Sequence, residues 1–177
     1  MYSRQVNGSL LEIVQGDITK QEDVEAVVNA ANALLMPGGG VAGAIHRAAG
    51  PELMEECRPL APISPGEAVL TRAYNLPNKY IIHCLGPVYG QDQPADKLLA
   101  NCYRKAMQLA AQKGIQTIAF PALSTGAFGY PLQEAAQIAI STVLQELDLQ
   151  EKVRLARFVL FSEKDLEVHR KVLARQK

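Results

Sequence analysis

Short apolar, β-branched runs bounded by turn residues alternate along the chain with longer stretches in which apolar residues recur at three- and four-residue intervals. That alternation is the pattern of an α/β domain. Strands are predicted at Leu10 to Gln15, Ala26 to Asn29, Ala68 to Arg72, Tyr80 to Cys84, Gln116 to Phe120 and Arg157 to Phe161. The clearest helix runs from Pro131 to Leu147, where Leu132, Ala136, Ala139, Ile140, Val143 and Leu147 share one face. Pro131 suits the first helical position, whose N–H has no helical partner in any case. A second helix spans Asp96 to Lys113, with Leu99, Cys102, Tyr103, Ala106 and Ala110 on its apolar stripe and Gly114 as the residue that ends it. A third covers about Gly43 to Ala49, and a last runs from Lys164 to about Arg175. Arg58 to Gly66, with three prolines, reads as a surface loop inside the domain.

The chain has 177 residues, a prior for one domain, and can bury roughly 70% of the surface its unfolded form exposes. Eighteen Lys and Arg balance eighteen Asp and Glu, and no block of like charge occurs. The basic face that nucleic-acid binding requires is therefore not expected, although local loops can still hold a nucleotide-sized ligand. No run of about 18 apolar residues and no signal-like segment are found, so a soluble, cytoplasmic protein with no membrane partner is expected. Cys57, Cys84 and Cys102 are widely spaced, with no C-x-x-C or Cys/His cluster. Neither a disulfide framework nor a metal site is expected, and all three read as small buried hydrophobes.

Glycine concentrates at two places, each after a predicted strand and before a predicted helix: Gly38-Gly39-Gly40-Val41-Ala42-Gly43 and Ser124-Thr125-Gly126-Ala127-Phe128-Gly129. Such a loop lets backbone N–H groups converge on an anion and adds the positive end of a helix dipole. One loop makes a phosphate cradle, and two suggest a diphosphate held from both sides. The plain alternative, that glycines only turn the chain, loses weight because two such loops fall where α/β sheets bind ligands. The first loop matches G-x-G-x-x-G, but Ala30 to Pro37 intervene after the strand, and Ala68 to Arg72 ends without an acid, so a dinucleotide fingerprint is not met. No Lys-Ser/Thr pair follows either loop, which excludes a P-loop.

Asn29 and Asn32 flank alanines at the end of one predicted strand, where Asn is unusual. Both can brace turns; that reading suits Asn29 better, and Asn32 is free to bond a sugar hydroxyl. Thr19 and Glu22 form a candidate capping box, which leaves Asp17 to accept a hydrogen bond from an exocyclic amine or to act as a cap itself.

Together these segments resemble the macro domain family, in its MacroD-like branch of ADP-ribose binders and hydrolases. The resemblance runs from about Leu10 to the last helix. It rests on Gly16-Asp17-Ile18-Thr19, on Val28 to Asn32 leading into Gly38-Gly39-Gly40-Val41, on Gly43-Ala44-Ile45-His46-Arg47-Ala48-Ala49-Gly50 and on Pro121 to Gly129. It implies a three-layer α/β/α fold with a mixed, mostly parallel six-stranded sheet. It also implies a site in which Asp17 and the Ile18 backbone hold adenine with Phe161 stacked on it, and Asn32 bonds the distal ribose. Gly40 and Val41, with Ser124, Thr125, Gly126, Ala127 and Phe128, would wrap the diphosphate, and the Phe128 ring would lie against the distal ribose. No cofactor is implied, and the protein is expected to be a monomer.

One position departs from the family pattern. MacroD-like hydrolases have Asp where this sequence has Ala42, and a methyl group cannot accept a proton; a general base is typically worth about 10²–10⁴-fold in rate. His46 matches a structural position of the family, His83 reads as a satisfied core residue and His169 as a surface one. The remaining catalytic route is substrate-assisted, with a ligand phosphate acting on a water held by the Gly40 loop, Asn32 and the edge of Phe128. The expected ligands are ADP-ribose and ADP-ribosylated proteins or metabolites: ADP-ribosylated Asp/Glu, O-acetyl-ADP-ribose or ADP-ribose 1″-phosphate. The competing expectation is a module that binds ADP-ribose without turnover.

Overall fold

The computed structural model describes residues 2–176. Its strands are β1 (Tyr2–Val6), β2 (Ser9–Gln15), β3 (Ala26–Ala30), β4 (Ala68–Arg72), β5 (Tyr80–Cys84), β6 (Thr117–Phe120) and β7 (Leu155–Leu160). Its α-helices are α1 (Gly40–Ala49), α2 (Glu52–Cys57), α3 (Ala95–Gln112), α4 (Leu132–Leu149) and α5 (Glu163–Arg175). The strands form one sheet in the order β1-β2-β7-β6-β3-β5-β4. The five central strands are mutually parallel, and β1 and β4 run antiparallel at the two edges.

Alternation along each strand divides the core between the two faces. On β3, Ala26 and Val28 join the apolar cluster of α3, α4 and α5, while Val27 joins that of α1 and α2. The register Val28↔Ile82 and Ile13↔Phe158 keeps like faces together across the sheet. The result is a three-layer α/β/α arrangement. The centre of the first cluster is aromatic: Tyr103 on α3 packs against Phe120 at 5.4 Å and Phe158 at 6.0 Å.

The sheet has seven strands, where six were predicted. β1 was missed because an edge strand half open to water has no apolar run, and Ser3, Arg4 and Gln5 carry little β signal. α2 was missed because six residues are too few to show a period. β7 ends at Leu160, so Phe161 lies beyond it. α3 ends as predicted: Gly114 has φ +74, its N–H bonds the Ala111 carbonyl, and the N–H of Ile115 bonds Ala110, which is the Schellman pattern. Pro131 caps α4 from just outside the helix instead of opening it, with the Ala135 N–H bonding its carbonyl. α1 begins three residues earlier than predicted, so Gly40 to Gly43 are its first turn. Cys57, Cys84 and Cys102 are free and buried, as the sequence suggested.

His169 is a correction. It is 1% exposed, packed against Phe158 with ring centroids at 5.9 Å, and its Nδ1 lies 2.8 Å from the Asp165 carbonyl oxygen. Its neighbours Glu167, Arg170 and Lys171 made that stretch look like a solvated face, but residue 169 sits on the stripe that α5 turns inward with Val172 and Leu173.

Candidate functional site

Because β2, β7, β6, β3 and β5 are parallel, their carboxyl ends lie along one edge, where open α/β sheets bind ligands. The chain leaves that edge as Gly16–Lys20, Phe161–Ser162, Pro121–Tyr130, Ala31–Gly39 and Leu85–Gly86. Every residue singled out from the sequence as ligand-binding is therefore on this edge or in the first turn of α1. From β2 to β3 is three strand spacings, about 14 Å.

At one end, Asp17 follows β2. It caps a 3₁₀ turn (Ile18–Lys20): its Oδ1 accepts from the Thr19 N–H at 2.9 Å and the Thr19 hydroxyl at 2.7 Å. The Thr19–Glu22 capping box is therefore not formed, since Thr19 donates to the cap and does not provide it. Those two bonds, the hydroxyl first, hold the Asp17 carboxyl below its usual range, so it is an anion with both its bonds on one oxygen. Ile18 beneath it is buried. β7 neighbours β2, and the Gly16 N–H bonds the Leu160 carbonyl at 2.9 Å; Phe161 therefore emerges beside Asp17, with 85% of its surface in water.

In the middle lies the loop after β6. Its base is pinned by the Tyr103 hydroxyl, which accepts from the Leu123 N–H at 3.0 Å. Its far side is closed by Gly129 N–H to Gly126 O and Tyr130 N–H to Ser124 O. Between these fixed points, no described residue offers an acceptor to the N–H groups of Ser124, Thr125, Gly126, Ala127 or Phe128. Five successive unbonded donors in a loop fixed at both ends make an anion cradle. The loop is also held from below. Ser124 is left-handed at φ +67, and its hydroxyl would stand 2.1 Å from a Cβ on Gly86. Only glycine at 86 lets β5 end beneath it. Gly86 was not singled out in the sequence, where the only signal is a glycine directly after a strand of the binding edge. The Tyr89 N–H bonds the Phe128 carbonyl at 2.8 Å, a tie no sequence pattern announces.

At the other end is the loop between β3 and α1. Gly40 is left-handed, φ +57, and Gly39 caps α1 with no side-chain bond. The first helical bond is Gly43 N–H to Gly39 O at 3.3 Å, so the N–H groups of Gly40, Val41 and Ala42 are open to a ligand. β3 and β6 are parallel neighbours in the sheet, so the two glycine-rich segments leave the same edge on adjacent strands, and Val41 and Phe128 both pack on the second apolar cluster. Ala42 is 4% exposed in the first turn of α1.

The two asparagines depart from the roles expected of them: Asn32 is the turn brace and Asn29 is not. Asn32 braces the turn: its Nδ2 donates to Met36 O at 2.8 Å, and its Oδ1 accepts from Met36 N–H at 3.0 Å. That leaves it one N–H for a ligand. Asn29 is instead buried within the sheet, its Nδ2 3.1 Å from His83 Nδ1. The Thr71 hydroxyl donates to Arg72 O at 3.0 Å and must therefore accept from His83 Nε2–H at 2.9 Å. His83 is neutral, with burial pushing its pKa down to about 3; it is the satisfied core residue expected. His46 is buried on α1, lowered in pKa by that burial, and its Nε2 has no protein partner.

The model for the Macro domain matches residues 28–139. A macro domain-containing protein of Chlorobaculum tepidum is 48% identical over 166 residues, covering 93% of this chain and 96% of its own. The chain belongs to the macro domain family. Among this macro domain's relatives is an O-acetyl-ADP-ribose deacetylase of Enterobacter cloacae, 44% identical over 171 residues and covered to 94% on both sides. Among solved structures, a glycine-to-valine variant of the Oceanobacillus iheyensis macrodomain with ADPR superposes with a TM-score of 0.94 at 42% identity, covering 98% of this chain and 96% of that one. No cluster of His, Cys, Asp and Glu suited to a metal occurs among the described residues of this macro domain.

Proposed function

We propose that this macro domain binds ADP-ribose along the carboxyl edge of its sheet and hydrolyses ester-linked ADP-ribose. The observation that carries the reading is the row of five unbonded N–H groups from Ser124 to Phe128 beside the uncapped N-terminus of α1. It supplies donors for a diphosphate without a cation. Asp17 and Phe161 offer an acceptor and an exposed ring for an adenine about 14 Å away, a span that suits a dinucleotide-sized ligand. The names and ligands of the similar proteins support the same reading.

In hydrolysis, the Gly40 loop, the free Asn32 N–H and the edge of Phe128 hold a water over the anomeric carbon of the distal ribose. The water oxygen forms the new bond to that carbon as the bond to the departing carboxylate or phosphate breaks. The proton passes to an oxygen of the ligand's own diphosphate and then to solvent, because Ala42 offers no acceptor. ADP-ribosylated Asp and Glu side chains, the 1″-O-acetyl ester of ADP-ribose and ADP-ribose 1″-phosphate present the same carbon to this loop. The Ala42 methyl favours a second reading, a module that binds ADP-ribose without turnover. Calorimetric titration with ADP-ribose, followed by a mono-ADP-ribosylated acidic substrate in the same preparation, tests both. Binding with release of ADP-ribose supports the hydrolase, binding without release supports the module, and no binding overturns both.

A further inference from the structure

Two pockets meet across Met54 beside the loop that leads into α1. One, of about 290 Å³, has Pro37, Arg47 and Met54 in its wall; the other, of about 350 Å³, has Leu34, Met36, Met54 and Arg58. They form a groove that begins where the catalytic loop begins. Leu34 is two residues past Asn32, and Pro37 precedes Gly38, so at about 3.8 Å per step both ends of that loop lie within roughly 8 Å of the groove. Arg47 ties the two together. Its Nη1 is 3.0 Å from the position a Cβ on Gly43 would take, and the Gly38 carbonyl oxygen is 2.2 Å from the same point. The guanidinium group therefore stands beside the first glycine-rich segment.

The loop over the groove is held in place. Asn32 grips both backbone groups of Met36, the Ile63 N–H bonds Ala33 O at 2.9 Å, and Leu35 is 1% exposed. Yet Leu34 is 59% exposed and Met36 48%. A fixed loop that keeps adjacent apolar side chains in water marks a contact surface. The charge of the lining residues is one-sided, with the exposed Glu52 and Glu55 of α2 next to Pro51 and Met54 but outside the wall. Arg47 and Arg58 line it, both exposed, and no carboxylate does. The nearby Glu56 is bonded to the Arg72 N–H and the Tyr74 hydroxyl.

We propose that this groove docks the polypeptide of a mono-ADP-ribosylated protein. The segment it fits is extended and acidic with one apolar side chain. Its carboxylates meet Arg47 and Arg58, its apolar side chain lies among Leu34, Met36 and Met54, and its modified residue is delivered to the Gly40 loop. The proposal rests on the ADP-ribose reading above and narrows it, since an acetyl or phosphate leaving group is too small to reach Arg58.

The test is calorimetry with three probes: free ADP-ribose, a Glu-flanked leucine-containing peptide carrying ADP-ribose through a non-hydrolysable link, and the same conjugate with Lys flanks. The acidic conjugate is expected to bind about tenfold tighter than free ADP-ribose, and the Lys conjugate no tighter. Leu34→Asp and Arg58→Glu, both at exposed positions, should each reduce that advantage and together remove it, with the affinity for free ADP-ribose unchanged as the control for folding. Equal affinity for all three probes, or an advantage that survives both substitutions, would overturn the docking proposal while leaving ADP-ribose binding intact. Failure of the wild-type protein to bind free ADP-ribose would instead overturn the underlying reading, and this one with it.

Discussion

Replacing Gly43 with alanine sets two effects of opposite sign against each other. Gly43 sits in the first turn of α1, and by helix propensity alone alanine there is worth about 1 kcal/mol of added stability. The loop argues the other way. A Cβ on Gly43 would stand 2.2 Å from the Gly38 carbonyl oxygen, 3.3 Å from its carbon and 3.0 Å from Arg47 Nη1. Cβ atoms do not come closer than about 3.0 Å, so the Gly38 peptide has to retreat by about 0.8 Å. A peptide cannot turn aside as a side-chain tip can, which puts the cost at the upper end of overpacking, about 3 kcal/mol. The net expectation for Gly43→Ala is a loss of about 2 kcal/mol. Because Gly38 leads directly into the open N–H groups of Gly40, Val41 and Ala42, an ADP-ribose affinity about tenfold weaker should accompany it. Urea unfolding gives the first number and calorimetry the second. A variant more stable by 0.5–1 kcal/mol, the propensity gain alone, with unchanged affinity would refute the argument that the Gly38 carbonyl is seated over α1.

Three further outcomes are expected. Phe161→Ala should leave unfolding stability unchanged, since the ring is 85% exposed, while weakening ADP-ribose binding by about 1–3 kcal/mol, the usual worth of a base–aromatic stack; equal affinity would remove Phe161 from the adenine end. Ala42→Asp should raise the release of ADP-ribose from a mono-ADP-ribosylated acidic substrate by about 10²-fold at similar affinity; a rate no higher than wild type would mean the substrate-assisted water needs no protein base. His83 stays neutral down to about pH 3 in the folded state, whereas the unfolded chain protonates near 6.5. Below pH 6.5 the unfolded state therefore binds more protons, and the stability present above that pH is lost as the pH falls. From pH 7 to pH 5 His83 alone should remove roughly 2 kcal/mol. In His83→Gln, urea midpoints measured across that range should fall less steeply, and an identical slope would contradict the neutral buried imidazole.

The central strands and long helices were legible because burial on one face imposes a period, and that period is written in residues such as Leu99, Cys102, Tyr103 and Ala106. The positions of the binding loops were legible for the same reason: once five strands are parallel, their following loops share an edge. What escaped was decided by partners distant in sequence. Asn29 read as a turn residue because nothing local shows that His83, 54 residues on, will face it. Asn32 read as a free amide because Met36 returns to it only through a loop held by Leu35. The Ala111 and Ala110 bonds that end α3 could be anticipated from one glycine, whereas the Gly86–Ser124 contact joins two loops with no shared local signal.

The five unpaired amides of the Ser124–Phe128 loop also have a meaning in time. With no acceptor in the protein, they have no internal bond to break before trading hydrogen for deuterium, so in the free protein they belong to its fastest-exchanging backbone. Leu123, Gly129 and Tyr130 on either side are bonded and should trade more slowly. A ligand anion that engages all five would invert that contrast within a single stretch of chain. The loop therefore carries its own occupancy signal, readable without a labelled ligand and without turnover.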